Sequence, residues 1–256
     1  MDPHEKKENE GHFDEPSLED FLPNEEDELL KEQQKKRNSF VKKVVIIGLA
    51  FSLVISMIQI WPQIFNISSI HFLQKSAELS KQEDIQKYKE AVVTIQDTYS
   101  KGTGFNISES GLIITNHHVV EDMHPINVVF PNGELFNAGI IHSEPELDLA
   151  FLQIKGENLP FLSLSKPDLW QVNDQIYVIG NPLFHNQIAN EGKILDDSEK
   201  NGVLKLSAPI YKGNSGSPVI SVNGDVIGVV YAKSTTDQSG FAIPIEKILE
   251  KLPNGY

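Results

Sequence analysis

Hydrophobic and polar positions divide the chain into regimes of different period. Up to about Arg37, apolar residues are sparse and aperiodic among Glu, Asp, Lys and Asn, and Pro3, Pro16 and Pro23 interrupt them. Such a composition buries too little surface to offset the entropy of ordering. Residues 44–61, opening on Val44 and closing on Trp61, are continuously apolar apart from Ser52, Ser56, Gln59 and small residues. As a helix this stretch spans about 27 Å, enough to cross the hydrocarbon core of a bilayer. It also lacks the polar face of a helix in a soluble core. Residues 62–88 come next, a polar segment with a weak apolar stripe of Leu73, Ala77, Ile85 and Tyr88, which predicts a helical stalk that spaces or packs the domain after it.

From Ala91 the pattern becomes that of strands. Short β-branched or aromatic-rich runs at 91–96, 111–115, 126–130, 135–142, 149–154, 175–179, 203–206, 218–221 and 225–231 are punctuated by Gly, Pro and Asn. Pro131-Asn132-Gly133 and Asn223-Gly224 predict hairpin turns, since Asn-Gly accepts the positive φ of a type I′ turn. Many short strands joined in this way predict an all-β antiparallel barrel or sandwich, and residues 245–252 predict a closing helix. The segment 25–37 has the composition of a nascent helix.

Charge adds orientation. Lys35, Lys36, Arg37, Lys42 and Lys43 precede the apolar run, and the next lysine is Lys75. The positive-inside rule then keeps the N-terminus in the cytoplasm and exports the remainder. More than forty residues precede the run and no small-x-small site comes after it, so the expectation is an uncleaved anchor in the cell membrane rather than a signal peptide. A net charge of −14 argues against nucleic acid as a partner. With no cysteine, disulfides, thiolate nucleophiles and cysteine-ligated metals are excluded.

Candidate chemistry lies in three places. In Gly213-Asn214-Ser215-Gly216-Ser217-Pro218 a serine is held between glycines, and this is a tight turn that can expose a hydroxyl and converge backbone N–H groups beside it. Thr115-Asn116-His117-His118-Val119-Val120 and Asp148-Leu149-Ala150 precede it. His, Asp and Ser in this order fit a base, an orienting carboxylate and a nucleophile. A zinc reading of His117, His118, His124 and His142 lacks the H-E-x-x-H spacing, and neither a metal nor another cofactor is expected.

Together with Gly240-Phe241-Ala242-Ile243-Pro244, these motifs make residues 89–256 resemble the trypsin-like domain of the HtrA (DegP-type) serine proteases. The resemblance implies a chymotrypsin/trypsin-like double six-stranded antiparallel β-barrel, preceded here by the single transmembrane helix. His118 and Asp148 would come from the first barrel and Ser215 from the second. It selects His118 over His117, left as an exposed rim residue, and Asp148 over Asp122 and Glu146. It also implies an oxyanion hole from the N–H groups of Gly213 and Ser215, a substrate-binding loop with Tyr211, Lys212 and Asn214, unfolded or damaged polypeptides as substrates, and a homotrimer.

The chain departs from that pattern at Tyr211 and Lys212, where the family has Asn-Pro, and at Ser217, where it has glycine. Residues 204–214 contain no Asp or Glu, so a preference for small or medium apolar side chains is expected rather than for Arg or Lys. With Tyr256 as the last residue, the expectation is a protease without the family's PDZ module. The organisation read is an acidic, disordered cytoplasmic tail with a basic end (1–43), a transmembrane helix (44–61), a stalk (62–88) and an extracytoplasmic protease domain (89–256). Two rival readings stand beside it. One is a pseudoprotease kept as a binding or stress-sensing domain. The other is a cytoplasmic docking platform built on Leu18-Glu19-Asp20-Phe21-Leu22.

Overall fold

The computed structural model describes residues 25–64, 67–167, 169–182, 185–198, 202–234 and 239–253; the Leu18–Leu22 motif and the first part of the acidic tail lie outside them. The described chain falls into two compact units, one ending before Ile67 and one beginning there. In the first, helix α1 (Glu25–Ile64) is a single 40-residue helix, so the segment from Glu25, the basic cluster and the apolar run share one continuous element. Val44, Ile46, Ile47, Leu49, Phe51 and Leu53 are exposed along it. Within Glu28–Ser56 an 18-residue window reaches a mean hydropathy of 1.9, long and apolar enough to cross a membrane.

The second unit holds two closed antiparallel barrels. The first contains β1 (Val92–Gln96), β2 (Lys101–Asn106), β3 (Leu112–Thr115), β4 (Ile126–Val129), β5 (Leu135–Glu144) and β6 (Leu149–Gln153), closing in the order β1-β2-β3-β6-β5-β4. The second contains β7 (Gln175–Gly180), β8 (Ile188–Ser198), β9 (Val203–Leu206), β10 (Pro218–Ser221), β11 (Val226–Lys233) and β12 (Gly240–Pro244), in the order β10-β11-β12-β9-β8-β7. This is the expected double barrel.

Period-2 alternation explains why near-continuous apolar runs serve here. Ile113 of β3 and Ala150 and Leu152 of β6 face the interior of the first barrel with Val93 and Ile95. Their neighbours Leu112, Ile114, Leu149 and Phe151 face the other way, into a cluster shared with Ile179, Ile220, Val229 and Ile243 of the second barrel. The two barrels are therefore joined by a core of their own.

Three strands, β2, β8 and β12, escape sequence reading. β2 looks like a loop because it carries Gly102 and Gly104, but both glycines make room for packing. A Cβ at Gly102 would lie 2.6 Å from a methyl of Val119, and one at Gly104 would lie 2.6 Å from Ile95. β8 is too polar to alternate, and β12 is bracketed by Gly240 and Pro244. The predicted type I′ turns are replaced. Gly133 N–H donates to the Phe130 carbonyl and Gly224 N–H to that of Ser221. Gly133 and Gly224 have φ of 92° and 93°, while Asn132 and Asn223 stay at negative φ. Each hairpin is thus a type I turn completed by a left-handed glycine.

From Ile67 on, the predicted stalk is part of this second unit. Helices α2 (Ile67–Leu79) and α3 (Glu83–Ala91) place Leu79 and Ile85 in the core joining the barrels, and α2 packs along β8. Helix α5 (Ile245–Glu250) closes the fold, with Ile245 and Ile248 buried.

Candidate active site

β3 and β6 pair in a register that sets Thr115 opposite Ala150, so the residues just beyond Thr115 and just before Leu149 emerge at the same end of the first barrel. The chain leaves β3 through Asn116 into the short helix α4 (His117–Val120). It enters β6 from a 3-10 turn at Pro145–Leu147 through Asp148, which adopts the left-handed conformation with φ 54° and ψ 46°. The Asn116 side-chain amide donates to the Asp148 carbonyl at 2.8 Å and ties the two loops together.

The Asp148 carboxylate meets His118 twice. Oδ1 accepts the His118 backbone N–H at 2.9 Å, and Oδ2 lies 2.7 Å from Nδ1 of the ring. An ionised carboxylate only accepts, so Nδ1 is the protonated nitrogen and Nε2 is left with its lone pair. The hydrogen bond to Asp148 holds the His118 pKa above the ordinary histidine value, against the opposing effect of partial burial. Tyr231 of β11 has its phenol pushed up by burial and by the Asp148 charge.

His117 points elsewhere. Its Nδ1 lies 2.8 Å from the Ser143 hydroxyl and its Nε2 3.3 Å from Glu121, and the side chain is only a quarter exposed. The expectation of an exposed rim residue is corrected, because this ring braces α4 against β5. His142 packs against Phe151 with ring centroids 5.9 Å apart.

The nucleophile candidate sits on two consecutive turns. Asn214 N–H donates to the Tyr211 carbonyl at 3.0 Å, and Ser217 N–H to that of Asn214 at 3.0 Å. Gly213 has φ 98° while Lys212 has negative φ, which makes residues 211–214 a type II turn with glycine where that turn requires it. Gly216 has φ 82°, and a Cβ there would lie 2.0 Å from the Thr103 carbonyl oxygen. No side chain fits. Gly216 N–H donates to Val230 and Asn214 and Ser217 N–H are used as above, whereas among the described residues the N–H groups of Gly213 and Ser215 donate to no protein acceptor. Two unspent donors flank the serine.

Thr103 of β2 rivets this loop to the first barrel. Its N–H donates to the Ser215 carbonyl at 3.1 Å and its hydroxyl to the Gly213 carbonyl at 2.7 Å. The same hydroxyl accepts the Asn181 N–H at 2.9 Å, and Thr115 Oγ1 donates to the Thr103 carbonyl at 2.7 Å. His118, Ser215, Gly213 and Lys212 line one cavity of about 210 Å³. His118 and Ser215 share it without a direct hydrogen bond among the described contacts. Lys212 is exposed there, Tyr211 is half-buried and Asn214 is buried inside the turn, where it shapes the loop rather than presenting a side chain. Ser217, fully buried, lies opposite Gly180, where a Cβ would come within 2.1 Å of its hydroxyl. The missing Cβ at Gly180 makes room for a serine in place of the family's glycine.

Residues 102–229, half of the chain, match the family model described as the trypsin-like peptidase domain. The chain belongs to this family. Within it the peptidase domain is HtrA/DegP-like and homologous to serine endoproteases. It is 38% identical over 155 residues to a probable periplasmic serine endoprotease, DegP-like, of Chlamydia trachomatis, covering 56% of this chain and 31% of that protein. It is 34% identical over 163 residues to human serine protease HTRA4, covering 59% and 34%. The chain thus spans about a third of the length of the curated relatives it matches. Among solved structures, the serine endoprotease from Yersinia pestis superposes with a TM-score of 0.62 at 29% identity, over 65% of this chain and 63% of that one.

Thr103, Asn181 and Tyr231 carry no motif that singles them out in the sequence. Asn116 was within reach, since it stands inside the histidine motif.

Proposed function

We propose that the chain is a serine endopeptidase in which Ser215 is the nucleophile, His118 the base and then the acid, and Asp148 the residue that fixes His118. Ser215 Oγ attacks a peptide carbonyl while its proton passes to His118 Nε2. The carbonyl oxygen, now an anion, accepts the N–H groups of Gly213 and Ser215. The imidazolium, held by Asp148, gives the proton to the leaving amine, and water then releases the acyl group by the reverse sequence. The observation that carries this reading is the pairing of Asp148 with both the backbone and the ring of His118, in one cavity with a serine flanked by two unspent N–H donors.

The reading extends to place and substrate. The exposed apolar stretch of α1 anchors the chain in a membrane, and the lysines and arginine before it keep its N-terminus cytoplasmic and the barrels outside. The likeness to DegP-like and HTRA serine proteases supports polypeptide substrates, and the proposal extends this to unfolded or damaged chains, cut after small or medium apolar residues, and to a homotrimer. The test is hydrolysis of an unfolded model protein by the full chain in detergent micelles. Ser215→Ala and His118→Ala must abolish cleavage while leaving the fold and melting temperature unchanged; turnover surviving in either variant overturns the assignment.

A further inference from the structure

α2 does more than cover β8. Phe72, Lys75, Ser76 and Leu79 recur at helical spacing on one face. Three of them fix the helix to the second barrel and its core. Lys75 Nζ lies 2.7 Å from Glu191 of β8, the Ser76 hydroxyl accepts the Ala189 N–H at 3.0 Å, and Leu79 is 2% exposed. Phe72, one turn before Ser76, contacts something else. Its ring centroid lies 4.5 Å from that of Tyr211 at an interplanar angle of 55°, a tilted aromatic pair. Lys233, at the end of β11, sets its ammonium 5.7 Å from the same Tyr211 ring.

Tyr211 is the first residue of the type II turn that aims Gly213. Its carbonyl accepts the Asn214 N–H that closes the turn. A type II turn and a type I turn share that closing bond and differ by a rotation of the central peptide plane, here Lys212–Gly213. In the type I form the Gly213 N–H faces away from the side it occupies now. The turn therefore needs its corners held, and Tyr211 is held by Phe72 at one ring contact and Lys233 at another. We propose that Phe72, carried on α2, is a positioning residue for the oxyanion turn: by fixing Tyr211 it keeps the Gly213 N–H aimed where the transition-state oxygen develops. This rests on the peptidase reading above and adds to it that the helix directly following the α1 unit in sequence is a working part of the catalytic centre.

The test uses the full chain in detergent micelles. Active sites are counted by complete labelling with a fluorophosphonate, and kcat and KM are measured per labelled site on an internally quenched peptide. Phe72→Ala is expected to lower kcat per site by about tenfold or more with KM within about twofold, as for weakened oxyanion stabilisation. Phe72→Tyr, which keeps the ring, is expected to restore kcat. The pH midpoint of the acid limb should not move, because His118 and Asp148 are untouched. A merely structural role would reduce the number of labelled sites and leave kcat per site unchanged, and that result overturns the proposal. If Phe72→Ala does not fold, Phe72→Leu answers the same question: wild-type kcat per site overturns the proposal, and a lowered one supports it. Failure of the wild type itself to label would overturn the peptidase reading first, a result distinct from a labelled wild type indifferent to residue 72.

Discussion

Replacing Thr103 with valine tests how the two barrels share the loop that carries Ser215. Thr103 is fully buried, and its hydroxyl donates to the Gly213 carbonyl and accepts from the Asn181 N–H. Valine keeps the branched shape and the strand preference but removes both bonds. The Asn181 N–H, on a residue 1% exposed, and the Gly213 carbonyl are then left without partners. The buried Asn181 N–H costs about 1–3 kcal/mol and the half-buried Gly213 carbonyl less, so the variant loses about 2–4 kcal/mol in all. For a domain of this size that lowers the melting temperature by about 5–15 °C. The loss falls on the turn that carries the Gly213 N–H, so reaction with a fluorophosphonate should slow by about ten- to hundredfold, short of the larger penalty for deleting a donor outright. The assay is the second-order labelling rate of the full chain beside its thermal transition by near-ultraviolet circular dichroism. Thr103→Ser keeps the hydroxyl and should behave as wild type. A valine variant that labels and melts like wild type would refute the rivet.

Gly216→Ala drives a methyl to within 2.0 Å of the Thr103 carbonyl at a φ of 82°, so labelling should be lost and the melting temperature lowered, measured on the same sample. Gly180→Ala sets a methyl 2.1 Å from the Ser217 hydroxyl. It should destabilise the fold, and Ser217→Gly should recover part of that loss; denaturation of the four members of the double-mutant cycle reads the coupling, and strict additivity would count against the contact. His118 must be neutral to act as base and its pKa is raised by Asp148, so kcat/KM should fall as pH drops through a midpoint above the unperturbed histidine value of about 6.5. The linkage has a definite sign: a folded-state pKa raised above the unfolded one stabilises the fold below the unfolded value, and the contribution fades as pH rises through the folded value. Asp148→Asn should move the acid limb down while lowering kcat.

The sequence was most legible where one face of a strand alternates with another. β3 and β6 read as strands because Leu112, Ile114, Leu149 and Phe151 bury one face against the second barrel while Ile113, Ala150 and Leu152 fill the first. β2 did not, because Gly102 and Gly104 are there for what other elements need, a gap for Val119 and Ile95. The choice of His118, Asp148 and Ser215 came from motif resemblance, and the structure brings the first two into contact. What holds them was not legible. Thr103 to Gly213, Asn116 to Asp148 and Phe72 to Tyr211 are contacts between residues distant in sequence, and no local period or turn signal encodes a partner so far along the chain. The stalk was legible as a helix, but its place in the core was not, since Leu79 and Ile85 find their neighbours only once both barrels exist.

The most direct measurement is the site of covalent attachment after the full chain, in detergent micelles, reacts with a fluorophosphonate. Intact mass and peptide mapping should show one adduct per chain, on Ser215, formed in the wild type and absent from His118→Ala. An adduct on another serine, or a Ser215 that stays unmodified in a folded wild-type chain, would contradict the account.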